Sequence, residues 1–467
     1  MTARPTIVAA VLYEGWELLD VQGPFSILIK MAGHSPNQRF HFITVGEKTS
    51  TSKPVKETTA HQPVLVDHDF QTCPPIDVLI LPGGVGSFAE AKNQTLLEFI
   101  KAQAETASWV VSVCTGSSIL AEAGLLEGRK ATSNKAFFNI QARYGKTVDW
   151  IHEARFVVDG KFITASGVSA GLDMAFVLGA KLFDASIVEK VVQETHYKPL
   201  SDGQDPFCKI YPRDDGWKTT LASAAFSLLS PLIIPMEVNA PSSQTTQLFA
   251  NKKSVLSIVL FDGFDSLDLA AVLESFLAFK TTHLFEIVGI GAKVLIGEDG
   301  LIVRHGGDST TGIEHHAKVI RVVCDRVVDD LIPVNDIFLE VDGIERVVYI
   351  PAVNDKNADL DSVACKNLFE ALKLSQLKGK ETGGSYVLGS GRAIQKKLEG
   401  VLGAENVVIG SRGWGRLGHV LVAETGLCGV VAALEIVKEV AGVQAVLEVA
   451  KSMEISGDLM PDGVTIQ

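Results

Sequence analysis

The residue in this chain best suited to covalent chemistry is Cys114. It follows the apolar run Trp109–Val113 (WVVSV), begins a Cys-Thr-Gly turn, and precedes the helical stretch Ser117–Ala123. A strand ending at such a junction presents its last side chains where α/β proteins bind ligands. The helix behind it turns its first amides and positive dipole end toward the sulfur, which favours thiolate over thiol. A lowered thiol pKa and a nucleophilic role are therefore expected. The bland alternative is a small buried apolar residue; the strand–Cys-Thr-Gly–helix context favours the nucleophile. Thr115 can orient a hydroxyl at the site, and Gly116 allows close backbone approach.

Two other segments carry matching chemistry. Leu81-Pro-Gly-Gly-Val-Gly86 is a glycine turn directly after a strand. Within it, beside Gly83, the N–H of Gly84 can pair with that of Thr115 to stabilise an anion. The turn lacks the Gly-Lys-Ser/Thr ending of a phosphate loop. Asp20, in Leu18-Leu-Asp-Val-Gln-Gly-Pro24, opens a helix. On one reading it is a first-turn charge. On the other it is a carboxyl near the thiolate, raised in pKa by like charge and able to donate a proton.

The elements that must position these residues alternate between strand and helix. Pro5–Leu12, Phe40–Val45, Val78–Leu81, Trp109–Val113 and Lys161–Ala165 read as strands. Val21–Ala32, Gln94–Thr106 and Gly171–Leu182 read as helices between or after them. That order implies a mostly parallel sheet covered on both faces. With 467 residues, 46% of them apolar and 21% charged, two folded domains are expected.

The net charge of −13 argues against a nucleic-acid or membrane-surface partner and leaves a small-molecule substrate. Residues 1–12 read as a first strand rather than a secretory signal. Ala222–Met236 is apolar but short and interrupted by two prolines, so it reads as a docking segment and not a membrane span. The six cysteines show no zinc spacing. No metal is expected, and reduced thiols in a cytoplasmic setting are the default. His315-His316 reads as surface, and Cys208 and Cys428 as structural or incidental.

A second start follows the polar stretch Asn239–Lys253, with an apolar strand at Ser254–Phe261. Leu12–Asp20 (LYEGWELLD) is similar to Leu260–Asp268 (LFDGFDSLD), and Ile76–Pro82 to Glu345–Pro351. The chain reads as a tandem repeat. The expected organisation is a catalytic domain at 1–215, a linker with the docking segment at 216–253, and a degenerate domain at 254–467. Aligned on the strand, the cysteine position in the second half falls at Gly389, and Pro-Gly-Gly becomes Pro351-Ala-Val353. Asp268 remains, read there as a helix-start residue, and Ser390 is a weak replacement nucleophile with no base in the local sequence.

Several runs resemble the ThiJ/PfpI superfamily, in the family's order, over residues 5–212. They are Leu-Asp-Val-Gln-Gly-Pro (19–24), Ile-Leu-Pro-Gly-Gly (80–84), Ser-Val-Cys-Thr-Gly-Ser (112–117), the stretch from Ala121 to Thr132, and Ser-Gly-Val-Ser-Ala-Gly-Leu-Asp (166–173). Within the superfamily they are most similar to isocyanide hydratases. The resemblance implies two tandem flavodoxin-like, class I glutamine amidotransferase-like three-layer sandwiches, with Cys114 at a nucleophile elbow. It implies cofactor-free hydration of an isocyanide to an N-substituted formamide, through a thioimidate on Cys114. Asp20 is then the acid that hydrogen-bonds the nucleophile, and Thr115 and Gly84 supply site hydrogen bonds. Family members commonly dimerise, so the two halves are expected to form an intramolecular pseudo-dimer, with a homo-oligomer also open.

One departure is clear: where many relatives carry a histidine, this chain has Asn134-Lys135, with Lys135 read as a surface charge or, alternatively, as a residue touching the site. Other readings are another cysteine-dependent lyase or hydrolase, a glyoxalase-type enzyme on a natural-product intermediate, or a cysteine redox sensor.

Overall fold

A computed structural model describes residues 4–213 with short exceptions, the longest being 48–54 and 57–62. It also describes residues 254–464 with longer exceptions, chiefly 299–317 and 329–344. The apolar segment Ala222–Met236, the linker to residue 253, His315-His316 and Cys324 lie outside the described residues.

The first half is built on a seven-stranded sheet. Its strands are β1 (Thr6–Val11), β2 (Phe40–Gly46), β3 (His68–Asp69), β4 (Val78–Leu81), β5 (Trp109–Val113), β6 (Phe156–Asp159) and β7 (Phe162–Ala165). They lie in the order β6-β7-β5-β4-β1-β2-β3. All neighbours pair in parallel except β6 with β7. Central strands such as β4 (VLIL) are apolar at every position because both faces are covered.

The helices are α1 (Leu19–Gly33), α2 (Gln94–Thr106), α3 (Ser117–Glu122), α4 (Ala170–Leu182) and α5 (Ala185–Thr195). α1 packs on α4 and α5, whereas α2 packs on α3. α1 holds Pro24, which removes the amide that would have bonded the Asp20 carbonyl.

The second half repeats this strand order. Its sheet comprises β8 (Ser254–Leu260), β9 (His283–Ile290), β10 (Arg326–Val328), β11 (Glu345–Ile350), β12 (Tyr386–Ser390), β13 (Trp414–Leu417) and β14 (Val420–Ala423). The order is β13-β14-β12-β11-β8-β9-β10, with only β13 antiparallel to its neighbour. Its helices are α6 (Ser266–Leu277), α7 (Val363–Thr382), α8 (Arg392–Leu402), α9 (Gly426–Ala441) and α10 (Val443–Ser452). Both halves are thus α/β units with flavodoxin-like, mostly parallel sheets.

The halves share more than a linker. α1 packs directly on α6, and one hydrophobic cluster runs from Leu19 and Phe25 through Leu267 and Leu273 to Val446 and Met453. A small four-stranded sheet also joins them, with Arg321 and Val322 of the second half paired to Leu65 and Val64 of the first. No helix among the described residues is long and apolar enough to cross a membrane.

Candidate active site

β5 delivers Val113 in extended geometry, and the next residue, Cys114, turns to φ 57°. A left-handed φ costs a non-glycine residue about 1–3 kcal/mol, so its surroundings must hold it. Ser117 Oγ and Ser133 Oγ both donate to the Cys114 carbonyl, at 3.3 and 3.1 Å. On either side the chain has no room for a side chain. A Cβ on Gly83 or on Gly167 would lie 2.6 Å from the Cys114 Cβ, and one on Gly167 also 3.0 Å from Sγ. Cys114 is therefore a strained elbow residue held between two glycines, 7% exposed.

The expectation of a lowered thiol pKa is overturned. Burial, then the carboxyls of Asp20, Glu454 and Glu17, push the Cys114 thiol well up, and the Thr115 amide opposes them weakly. The helix behind the elbow is only six residues long, so its dipole is small beside the desolvation.

Asp20 is fully buried in the first turn of α1. Its Oδ2 accepts the Gly83 N–H at 2.8 Å, and its Oδ1 has no hydrogen-bond partner. Its recorded hydrogen bond is thus to the glycine turn, and its link to Cys114 is electrostatic. Burial, then Glu17, push the Asp20 carboxyl well up, with Glu454 adding to the rise. Asp20 is thereby biased toward the protonated acid.

Of the two amides expected to form an anion pair, that of Thr115 acts on Cys114 and that of Gly84 is engaged by a side chain. The Gly84 N–H donates to Thr115 Oγ1 at 3.1 Å, and Thr115 Oγ1 donates back to the Gly84 carbonyl at 3.0 Å. Ser87 Oγ also donates to Thr115 Oγ1 at 2.8 Å. These bonds lock the glycine turn to the elbow. Gly116 serves packing, since a Cβ there would meet the Pro82 carbonyl oxygen at 2.5 Å. Tyr13, which no local motif marks, donates its hydroxyl to the Pro82 carbonyl at 2.6 Å and steadies the same turn.

Lys135 is not a surface charge. Its side chain is fully buried, and Nζ donates to Thr132 Oγ1, the Ser133 carbonyl and the Ala154 carbonyl at 2.9, 3.1 and 2.7 Å. It also pairs with Asp205 Oδ2 at 3.5 Å. Asp205 in turn accepts from Ser166 Oγ at 2.5 Å. Beside this cluster Arg155 Nε donates to Asp173 Oδ2 at 2.5 Å. These pairings were invisible in sequence because their members lie far apart in the chain.

The site also contains a residue from the second half. Glu454 follows α10 with φ 52° and is buried within the first half. Its Oε1 accepts from Asn134 Nδ2 at 3.2 Å and from the Lys135 N–H at 3.1 Å. Its Oε2 lies 3.0 Å from Ser166 Oγ, whose one hydroxyl proton it shares with Asp205.

The corresponding place in the second half has lost its chemistry, and strand register corrects its position. Leu81 pairs with Ser112, and Ile350 with Gly389; Ala165 pairs with Val113, and Ala423 with Ser390. Ser390 therefore occupies the place of Val113, and Gly391, at φ 77°, that of Cys114. Gly389 lies two residues too early, inside β12. Asp268 keeps Asp20's arrangement, accepting the Ala352 N–H at 2.5 Å, and burial with Asp265 pushes it up to about 8. A cavity of about 240 Å³ lies here, lined by Lys30, His34 and Glu194 of the first half and by Asp265, Ala352 and Glu424 of the second.

No cluster of three metal-ligating side chains occurs among the described residues.

The model of the DJ-1/PfpI family matches residues 7–180. The isonitrile hydratase of Pseudomonas putida is 31% identical over 195 residues, which is 41% of this chain and 78% of that protein. A deglycase of Pyrococcus abyssi is 35% identical over 104 residues, 22% of this chain and 61% of its own. Among solved structures, a ThiJ/PfpI family protein from Pseudomonas syringae is 28% identical and covers 50% of this chain and 92% of its own, with a TM-score of 0.40.

Proposed function

The chain belongs to the DJ-1/PfpI family, and from that premise we propose that it is a cysteine enzyme that hydrates an isocyanide to an N-substituted formamide at Cys114. The observation that carries the reading is the strained elbow cysteine, held between Gly83 and Gly167 beside a buried carboxyl with one unpartnered oxygen. The similarity to an isonitrile hydratase supports the same choice.

The chemistry balances with the groups present. Cys114 Sγ forms a bond to the terminal isocyanide carbon, and that carbon gains one proton. The thiol's own proton is the one consumed, relayed by Asp20, whose Oδ1 is unpartnered. The product is a thioimidate. Water then adds to its carbon, nitrogen takes a proton, the S–C bond breaks, and the thiol is restored with release of the formamide. No oxidant or metal enters the balance. A thiol raised in pKa needs this proton relay, and a positioned acid–base group contributes about 10²–10⁴ in rate.

The burial of Cys114, 7% exposed, counts against a redox sensor, because oxidation follows exposure. The test is turnover of a panel of isocyanides and α-oxoaldehydes by the wild type and by Cys114→Ala. Formamide production lost in the variant is expected. Turnover of α-oxoaldehydes alone would replace the reading with the glyoxalase or deglycase class.

A further inference from the structure

The second half does more than pack against the first. Glu454 leaves α10, adopts a left-handed φ of 52° and projects into the first half. Its main chain is clasped there: Ser169 N–H donates to the Met453 carbonyl at 3.1 Å, and Ser169 Oγ to the Glu454 carbonyl. Its two carboxyl oxygens then divide their work. Oε1 takes Asn134 and the Lys135 amide, the segment whose neighbour Ser133 fixes the Cys114 carbonyl. Oε2 takes Ser166, which precedes the glycine that walls Sγ. One carboxyl from the second half thus braces two sides of the thiol's enclosure.

The mirror position supports this. His196, just past α5 and also at φ 52°, reaches out of the first half to Glu424 Oε2 at 3.5 Å. Register places Glu424 where the first half has Ser166. The halves therefore exchange equivalent residues, and only the exchange through Glu454 reaches a nucleophile.

We propose that Glu454 is a positioning residue of the Cys114 site, contributed by the C-terminal half, and that its charge governs how readily the thiol ionises. The inference rests on Cys114 being the reactive residue. The groups facing Glu454 are Lys135, Arg155 and Asp205 of the first half, Asp20 from the start of α1, Tyr211, and Cys114 itself. Burial, with Asp205 adding to it, pushes the Glu454 carboxyl up to about 7, while Lys135 and Arg155 oppose. Its charge therefore changes across neutral pH. As it ionises it adds a negative charge near the sulfur and opposes the thiolate.

The test is the pH dependence of Cys114 alkylation by iodoacetamide, located by peptide mass spectrometry on the full chain. This readout does not depend on the substrate. In wild type, the logarithm of the rate should rise with a slope below one between pH 6 and 8. In Glu454→Gln, which keeps the shape and an oxygen for Asn134 and the Lys135 amide, the curve should steepen to a slope of one, meeting wild type near pH 6 and running about tenfold above it at pH 8. An unshifted curve in Glu454→Gln overturns the proposal. A wild-type slope of one throughout overturns it too, whether or not the variant folds. Loss of isocyanide turnover with the expected alkylation shift keeps this inference. Absence of isocyanide turnover in wild type removes the functional reading alone.

Discussion

Replacing Lys135 by methionine keeps most of the side-chain volume and removes the charge. Lys135 Nζ makes three hydrogen bonds, at 2.7 to 3.1 Å, and an ion pair with Asp205 Oδ2 at 3.5 Å, with both side chains inaccessible. Removing one partner of a buried pair leaves the other charge uncompensated and costs about 3–5 kcal/mol. Asp205 keeps the Ser166 hydroxyl and the Phe207 amide, at 2.5 and 2.9 Å, so the lower end, about 3 kcal/mol, is expected. For a domain of this size that corresponds to a fall in Tm of roughly 6–12 °C. The assay is thermal unfolding followed by circular dichroism at pH 7.5. Lys135→Met with Asp205→Asn should recover part of the loss, because the orphaned charge is gone. A fall below about 2 °C in the single variant is what an exposed lysine gives, and it would refute the buried network.

Three other outcomes follow from the same geometry. Gly167→Ala places a Cβ 2.6 Å from the Cys114 Cβ at a φ of 112°, so it should abolish turnover while near-native circular dichroism persists. Tyr13→Phe removes the hydroxyl bonded to the Pro82 and Gly83 carbonyls, costing about 1 kcal/mol in urea unfolding and lowering kcat through the loosened turn. Glu454 titrates from 4.5 to about 7 on folding, so the native chain holds more protons than the unfolded one between those values. Its contribution to stability should therefore fall as pH rises through that window, and Glu454→Gln should flatten this part of the urea stability profile.

The sheet and the elbow were legible because their signals are local. Apolar runs such as VLIL and WVVSV bounded by turns mark buried parallel strands, and the recurrence of LYEGWELLD as LFDGFDSLD marks the second start. Long-range pairing was not legible. Lys135 reads as exposed until Asp205 and the Ala154 carbonyl are brought to it. Nothing around Glu454 in sequence shows that it crosses into the other half. The second elbow fell at Gly389 rather than Gly391 because an apolar pattern fixes a strand's presence but not its register with β11 and β14. The direction of the thiol pKa was missed for a related reason. The helix end is visible in sequence, whereas the burial and the carboxyls of Asp20, Glu454 and Glu17 that outweigh it are not.

The most direct test is mass spectrometry of the intact chain during turnover of a slow isocyanide, with the adduct mapped by peptide digestion. The account predicts a mass gain equal to the whole isocyanide on Cys114, decaying as the formamide appears, and neither adduct nor formamide in Cys114→Ala. Formamide formed at an undiminished rate by Cys114→Ala would contradict it.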